Sequence, residues 1–159
     1  MFLFTKRRRS LDVIPQRIRR ILDLTVEMTV GEDEPRRRSR RYTRFLPALL
    51  APWDDGHPIV DDVCFALTRN ISDAGIGLIL PKPFDSAELC LGLMIVEGST
   101  GEPCFFLGTG KHLSPLGGGY WSLGVNLTDC ASETCPEKLA ALRALAAQLT
   151  PGASSTASR

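Results

Sequence analysis

No apolar run in this 159-residue chain reaches the roughly 18 residues that a bilayer-spanning helix needs, so a helical membrane span is excluded. Histidine occurs only at His57 and His112. Neither has a ligand-spaced partner or an adjacent nucleophile motif, which removes the usual basis for histidine-centred catalysis, and both are expected at the surface. The cysteines, Cys64, Cys90, Cys104, Cys130 and Cys135, are odd in number and contain no Cys-x-x-Cys pair. Three of them lie in apolar, strand-like segments, where a free thiol behaves as a small hydrophobe; core packing in a reducing compartment is expected, and a metal site is not. A phosphate-binding loop is also missing. Gly108-Thr109-Gly110-Lys111 has Phe105 where that loop needs glycine and His112 where it needs Ser or Thr, and it is read as strand and turn. Asp54-Asp55 and Asp61-Asp62 lack the ligand spacing of a calcium loop and are read as solvated. Met1 to Phe4 is apolar for only four residues before the basic Lys6-Arg7-Arg8-Arg9, the reverse of a secretory signal, so a cytoplasmic location is expected.

Hydrophobic residues make up 43% and charged residues 23%, as in one soluble domain with short extensions. The net charge of +1 conceals a division. Through Arg44 there are 13 Lys and Arg against 6 Asp and Glu, a balance of +7, and the remainder has 6 against 12, a balance of −6. Such asymmetry points to an anionic partner. Six arginines fall within Arg36-Arg37-Arg38-Ser39-Arg40-Arg41-Tyr42-Thr43-Arg44. Each guanidinium carries five donors in a rigid plane and stacks on flat rings, which suits phosphates and purines. A solvated charge run is the simpler account of the arginines alone.

Residues 1–10 read as a basic arm. From Leu11 to about Met28, Ile14, Ile18, Ile21, Leu22 and Val26 recur at three- and four-residue steps with Arg17, Arg19 and Arg20 on other faces, which predicts an amphipathic helix. It is expected to pack on its own domain, with an anionic membrane surface as the lesser alternative. Gly31 to Pro35 is a polar linker. Strands are then predicted over 45–51, 63–70, 76–80, 89–96, 104–113 and 120–127, with loops at 52–58 and 115–119. The spacing leaves no room for crossover helices, so the fold class is mainly β, an antiparallel barrel or sandwich. Pro136 to Leu149 returns to helical spacing through Leu139, Leu142, Leu145 and Leu149, to be buried over an end or side of the barrel. The tail from Pro151 is small and polar and is predicted to be disordered.

A second motif, Asn70-x-Ser72-x-x-Gly75, lies between two predicted strands. Asn and Ser shape such turns through backbone hydrogen bonds, and Gly75 supplies positive φ or close approach; the same groups can also read a purine edge and its phosphate. Arg40-x-x-x-Arg44 before the first strand, together with Asn70-x-Ser72-x-x-Gly75 after the second, resembles the PilZ domain. Pro115 to Val125, a Gly-rich turn followed by Tyr120-Trp121 and Gly124-Val125, is similar to that family's last hairpin.

The resemblance implies a six-stranded antiparallel PilZ-like barrel over residues 36–130, an N-terminal arm, helix and linker over 1–35, a C-terminal helix over 131–150 and a tail over 151–159. It implies a bacterial receptor for cyclic di-GMP rather than an enzyme, with no cofactor or metal. Arg40 and Arg44 would clamp phosphate and guanine, Asn70 would pair with a guanine edge, Ser72 would bind phosphate or backbone, and Gly75 would keep the approach open. Arg41 and Arg38 would add phosphate contacts. Arg36/Arg40 and Arg37/Arg41 satisfy the same four-residue step. An arginine linker wrapping the ligand would shift the N-terminal helix and signal to a downstream protein. Nucleic-acid binding and a protein-only scaffold are the alternatives; only Tyr42 and Phe45 lie near the basic segment to stack on bases.

Overall fold

Three of the described strands bury residues on both faces, and that requirement shapes the molecule. In β2 (Pro47–Asp54), Ala48 and Leu50 belong to one core cluster, while Leu49 and Ala51 belong to another. β6 (Glu88–Leu93) divides Leu89, Leu91 and Leu93 from Cys90 in the same way, and β7 (Cys104–Gly117) divides Cys104 and Phe106 from Phe105. Successive strand side chains point to opposite faces, so one cluster fills the interior of the sheet and the other lies outside it. The structure, a computed structural model, describes residues 13–22, 41–94 and 103–149. The expected basic arm, the 31–35 linker, residues 36–40 with Arg38 and Arg40, and the tail lie outside the described residues.

The other strands are β1 (Tyr42–Thr43), β3 (His57–Pro58), β4 (Cys64–Ile71), β5 (Gly75–Leu80) and β8 (Tyr120–Asp129). All pairings are antiparallel, in the order β1-β4-β5-β8-β7-β6-β2-β3, and a further β4–β2 pairing closes β2, β4, β5, β8, β7 and β6 into a six-stranded barrel. This is the expected fold. A ring this narrow is filled by its own side chains, here Leu78, Leu80, Leu91, Phe106, Leu123 and others, so its interior leaves no room for a ligand.

Two expected loops are partly ladder. In the 52–58 segment, Asp55 (φ 51°) and Gly56 (φ 77°) form the tip of a two-residue hairpin that pairs Trp53 with Pro58 and Asp54 with His57. Asp-Gly supplies the two positive φ angles that this turn demands. The β7–β8 ladder likewise runs past 113, pairing Pro115 with Trp121 and Gly117 with Tyr120. Proline is accommodated there beside an irregularity in register.

Residues 13–22 form helix α1. Ile14, Ile18 and Ile21 are buried and join the interior cluster, which a helix can reach only at an open end of the ring. Arg17 Nη2 lies 2.6 Å from Glu133 Oε1, an ion pair to the C-terminal segment. Both partners are partly exposed, so this pair contributes at most about 1 kcal/mol, and docking of α1 rests on the isoleucines. The buried isoleucines of the described helix therefore face the domain, the packing expected of it. No helix among the described residues is long and apolar enough to cross a membrane.

The expected C-terminal helix comes in three pieces: α2 (Ala131–Thr134), a 3-10 turn (Pro136–Leu139) and α3 (Ala140–Leu149). Pro136 cannot continue α2 but suits the start of a new turn. Leu139, Leu142 and Ala146 cover Leu49, Ala51, Cys90 and Phe105 on the barrel's side. Gly92 makes this possible, because a Cβ there would lie 2.6 Å from the Phe105 ring. All five cysteines are free; four are buried and Cys135 is partly exposed. Burial, with a smaller contribution from Cys135, pushes the Cys90 thiol up to about 12, so it stays protonated as a packing group.

Candidate ligand groove

The groove lies on the outer face of β4, β5 and β8. β4 and β5 pair Ile71 with Ile76, both in the interior cluster, and Asn70 with Gly77. Adjacent positions alternate faces, so Asn70 and Gly77 point outward. β5 pairs with β8 through Gly75 opposite Asn126 and Gly77 opposite Gly124. Gly75, Gly77 and Gly124 thus form a patch of bare backbone on two neighbouring strands, with Asn70 beside it.

The three glycines are present for different reasons. A Cβ on Gly77 would lie 2.8 Å from Asn70 Oδ1, so glycine there lets the amide lie flat on the sheet. On Gly75 it would lie 3.0 Å from the Val125 carbonyl oxygen, so glycine permits close strand approach. On Gly124 it would meet nothing within 4 Å. Packing does not require glycine at 124, and the space above it is open to a flat ligand.

Both flanks of the patch depart from regular pairing. A register shift between Thr68 and Asn70 in β4 adds Arg69 to that strand. In β7 a shift between Gly110 and His112 adds Lys111 and sets His112 opposite Gly124. Bulges of this kind re-aim side chains next to sites. On the β4 side, β1 pairs Tyr42 with Ile71 and Thr43 with Asn70, which carries Arg41 alongside Ser72. The resulting cavity of about 320 Å³ is lined by Arg41, Asn70, Ser72 and Gly75, and further by Gly77, Lys111, His112, Gly124 and Asn126. Among the described residues no Asp or Glu lines it, and the charged side chains that do, Arg41 and Lys111, are both cationic.

Ser72 fixes the corner. Its hydroxyl donates to the Gly75 carbonyl and accepts from the Gly75 amide, each at 3.1 Å, while the Ser72 amide donates to the same carbonyl at 2.8 Å. Thr68, fully buried, fixes the strap: its hydroxyl donates to the Arg44 carbonyl and accepts from the Leu46 amide at 2.8 Å. These bonds hold residues 44–46 against β4 between β1 and β2.

Of the residues expected from sequence, Arg41, Asn70, Ser72 and Gly75 come together at the groove. Arg40 lies outside the described residues. Arg44 is buried at 7% exposure, donates from Nη1 to the Thr43 carbonyl at 3.0 Å, sits 5.8 Å from the Tyr42 ring centroid and does not line the groove. Gly77, Lys111, His112, Gly124 and Asn126 were not expected there. A glycine inside a strand pattern signals close approach by backbone or ligand, and Gly75-Ile76-Gly77 and Gly124 carry that signal.

No family model matches the chain, and no curated protein does. Among solved structures it is similar to the Bacillus subtilis inhibitor of motility MotI/DgrA, at 16% identity and a TM-score of 0.47, over 74% of this chain and 53% of that one. The chain thus spans about half the length of that neighbour. It is also similar to the PilZ domain of Escherichia coli YcgR, solved with c-di-GMP, at 15% identity and a TM-score of 0.43, over 72% of this chain and 93% of that domain.

Proposed function

We propose that this chain is a PilZ-like receptor domain for cyclic di-GMP, held on the outer face of the barrel between the arginine strap and the Asn70-x-Ser72-x-x-Gly75 corner. The observation that carries the reading is the glycine patch at 75, 77 and 124, bordered by Arg41 and Asn70, with no acidic side chain among the described residues that line it. Bare backbone accepts a planar ring, the Asn70 amide offers donor and acceptor to a purine edge, and cations offset phosphate charge. A cyclic purine dinucleotide presents all three features.

Of the three arginine pairs with the four-residue step, two have a described member, and these members lie in different places. Arg41, of the Arg37/Arg41 pair, lines the groove; Arg44, of the Arg40/Arg44 pair, does not. Titration calorimetry with cyclic di-GMP separates them. Arg41→Ala is expected to weaken binding by at least tenfold, the loss of a charged hydrogen bond of about 1.5–3 kcal/mol, with little change in stability. Arg44→Ala is expected to act on stability first, because its side chain is buried. Unchanged affinity in both Arg41→Ala and Asn70→Ala refutes the site, and tight binding of arbitrary RNA without the dinucleotide favours a nucleic-acid reading.

The strap also offers a route for the signal to an unidentified protein partner. Arg41 precedes β1, and the chain before it leads back to α1, so a ligand that draws on Arg41 would alter the docking of α1. Added ligand is then expected to change hydrogen exchange in residues 13–22. Identical exchange with and without saturating ligand excludes this route.

A further inference from the structure

The flank of the groove opposite the strap carries two side chains that neither motif includes. In β7, Gly110 pairs with Val125 and points into the barrel, where a Cβ would meet Leu123 and Leu89. His112 pairs with Gly124, the outward position, and Lys111 is the extra residue between them. In a regular strand Lys111 would stand opposite Gly124 and the next residue would turn inward. The bulge instead places two consecutive polar side chains, Lys111 and His112, on the rim of the glycine patch, and both are exposed. Arg41 leads into β1, beyond β4, and Lys111 lies in β7, four strand spacings apart in the sheet order, about 19 Å measured along the sheet. The groove therefore has a cation at each end and bare backbone between them.

We propose that Lys111 and His112 form a second anion-binding wall, which receives the phosphate of the dinucleotide that faces away from the arginine strap. Lys111 supplies the charge, and the His112 ring supplies a hydrogen-bonding nitrogen above Gly124. A ligand with anionic groups at two ends engages both walls; the strap and the Asn70 corner account for one. This assignment rests on the cyclic di-GMP reading above and extends it to residues that lie outside both motifs.

The test is calorimetric titration of cyclic di-GMP into the full chain and into Lys111→Ala, Lys111→Ala with His112→Ala, and Lys82→Ala. Lys82 is an exposed lysine in the turn after β5 that does not line the groove, so its replacement makes the same change in net charge. The expected result is about a tenfold loss for Lys111→Ala and a larger loss for the double variant, with Lys82→Ala within twofold of the parent and all urea midpoints unchanged. Parent-like affinity in the double variant, alongside lost binding in Arg41→Ala, removes the second wall and leaves the receptor reading standing. Equal losses in Lys111→Ala and Lys82→Ala also overturn it, since they would show a general field rather than a contact. If the parent itself does not bind the dinucleotide, the receptor reading and the second wall both fall.

Discussion

Gly124→Leu is expected to abolish cyclic di-GMP binding, with a loss of more than about a hundredfold, while leaving the barrel at least as stable as before. A Cβ at this position meets no atom within 4 Å, so the fold has no steric objection to a side chain. Removing glycine from a strand interior is itself favourable by roughly 0.5–1 kcal/mol. The new isobutyl group, however, would stand over the bare backbone between Gly77 and His112, in the volume a planar ring must occupy. Loss of binding without loss of stability separates a ligand surface from a packing surface. Gly77→Ala is the informative contrast. There the added methyl displaces the end of the Asn70 side chain, 2.8 Å away, so binding should fall through a misplaced reader, by less than in Gly124→Leu and without a loss of stability. Calorimetry and urea denaturation on both variants distinguish the two cases; full-strength binding by Gly124→Leu would show that the glycine patch is not the ligand's floor.

Ile18→Asp is expected to give the largest stability effect, on the order of 5 kcal/mol. Ile18 has no exposed surface and sits with Ile14 and Ile21 in the interior cluster, so an aspartate there must either lose its charge or leave. Leaving costs the burial of three isoleucines at about 1.5–3 kcal/mol each, which sets the upper bound on the loss. The outcome is release of α1 from the end of the barrel, seen as a lower urea midpoint and rapid hydrogen exchange in residues 13–22. The groove is on the outer wall of the barrel, so binding should survive the release. A parent-like midpoint for Ile18→Asp would contradict docking of this helix into the interior.

The legible part of this chain was whatever its own local pattern determines. Apolar runs such as Leu89-Cys90-Leu91 could be read as strands because they are buried on both faces, and the isoleucine spacing around Ile18 marked a helix. β1 was not legible, since two residues become a strand only because Ile71 and Asn70 are there to pair with them. The hairpin at Asp55-Gly56 carried the right turn residues, but Pro52 and Pro58 on either side read as loop. Half of the groove was visible in Asn70, Ser72 and Gly75, which lie within six residues of sequence and build one corner. Lys111 and His112 owe their placement to a one-residue bulge, and register is a property of the paired sheet rather than of β7 alone. Arginine spacing could not select among its three four-residue steps either, because β1 pairing decides which guanidinium is carried to Ser72.

The most direct test of the central claim is a titration of isotopically labelled full chain with cyclic di-GMP, followed by amide chemical shifts. The expected result is saturable change at Asn70, Gly75, Gly77, His112 and Gly124, with the α3 face over Leu49 and Phe105 unmoved. Amides that stay fixed across the glycine patch at saturating dinucleotide, or that move only elsewhere, would contradict it.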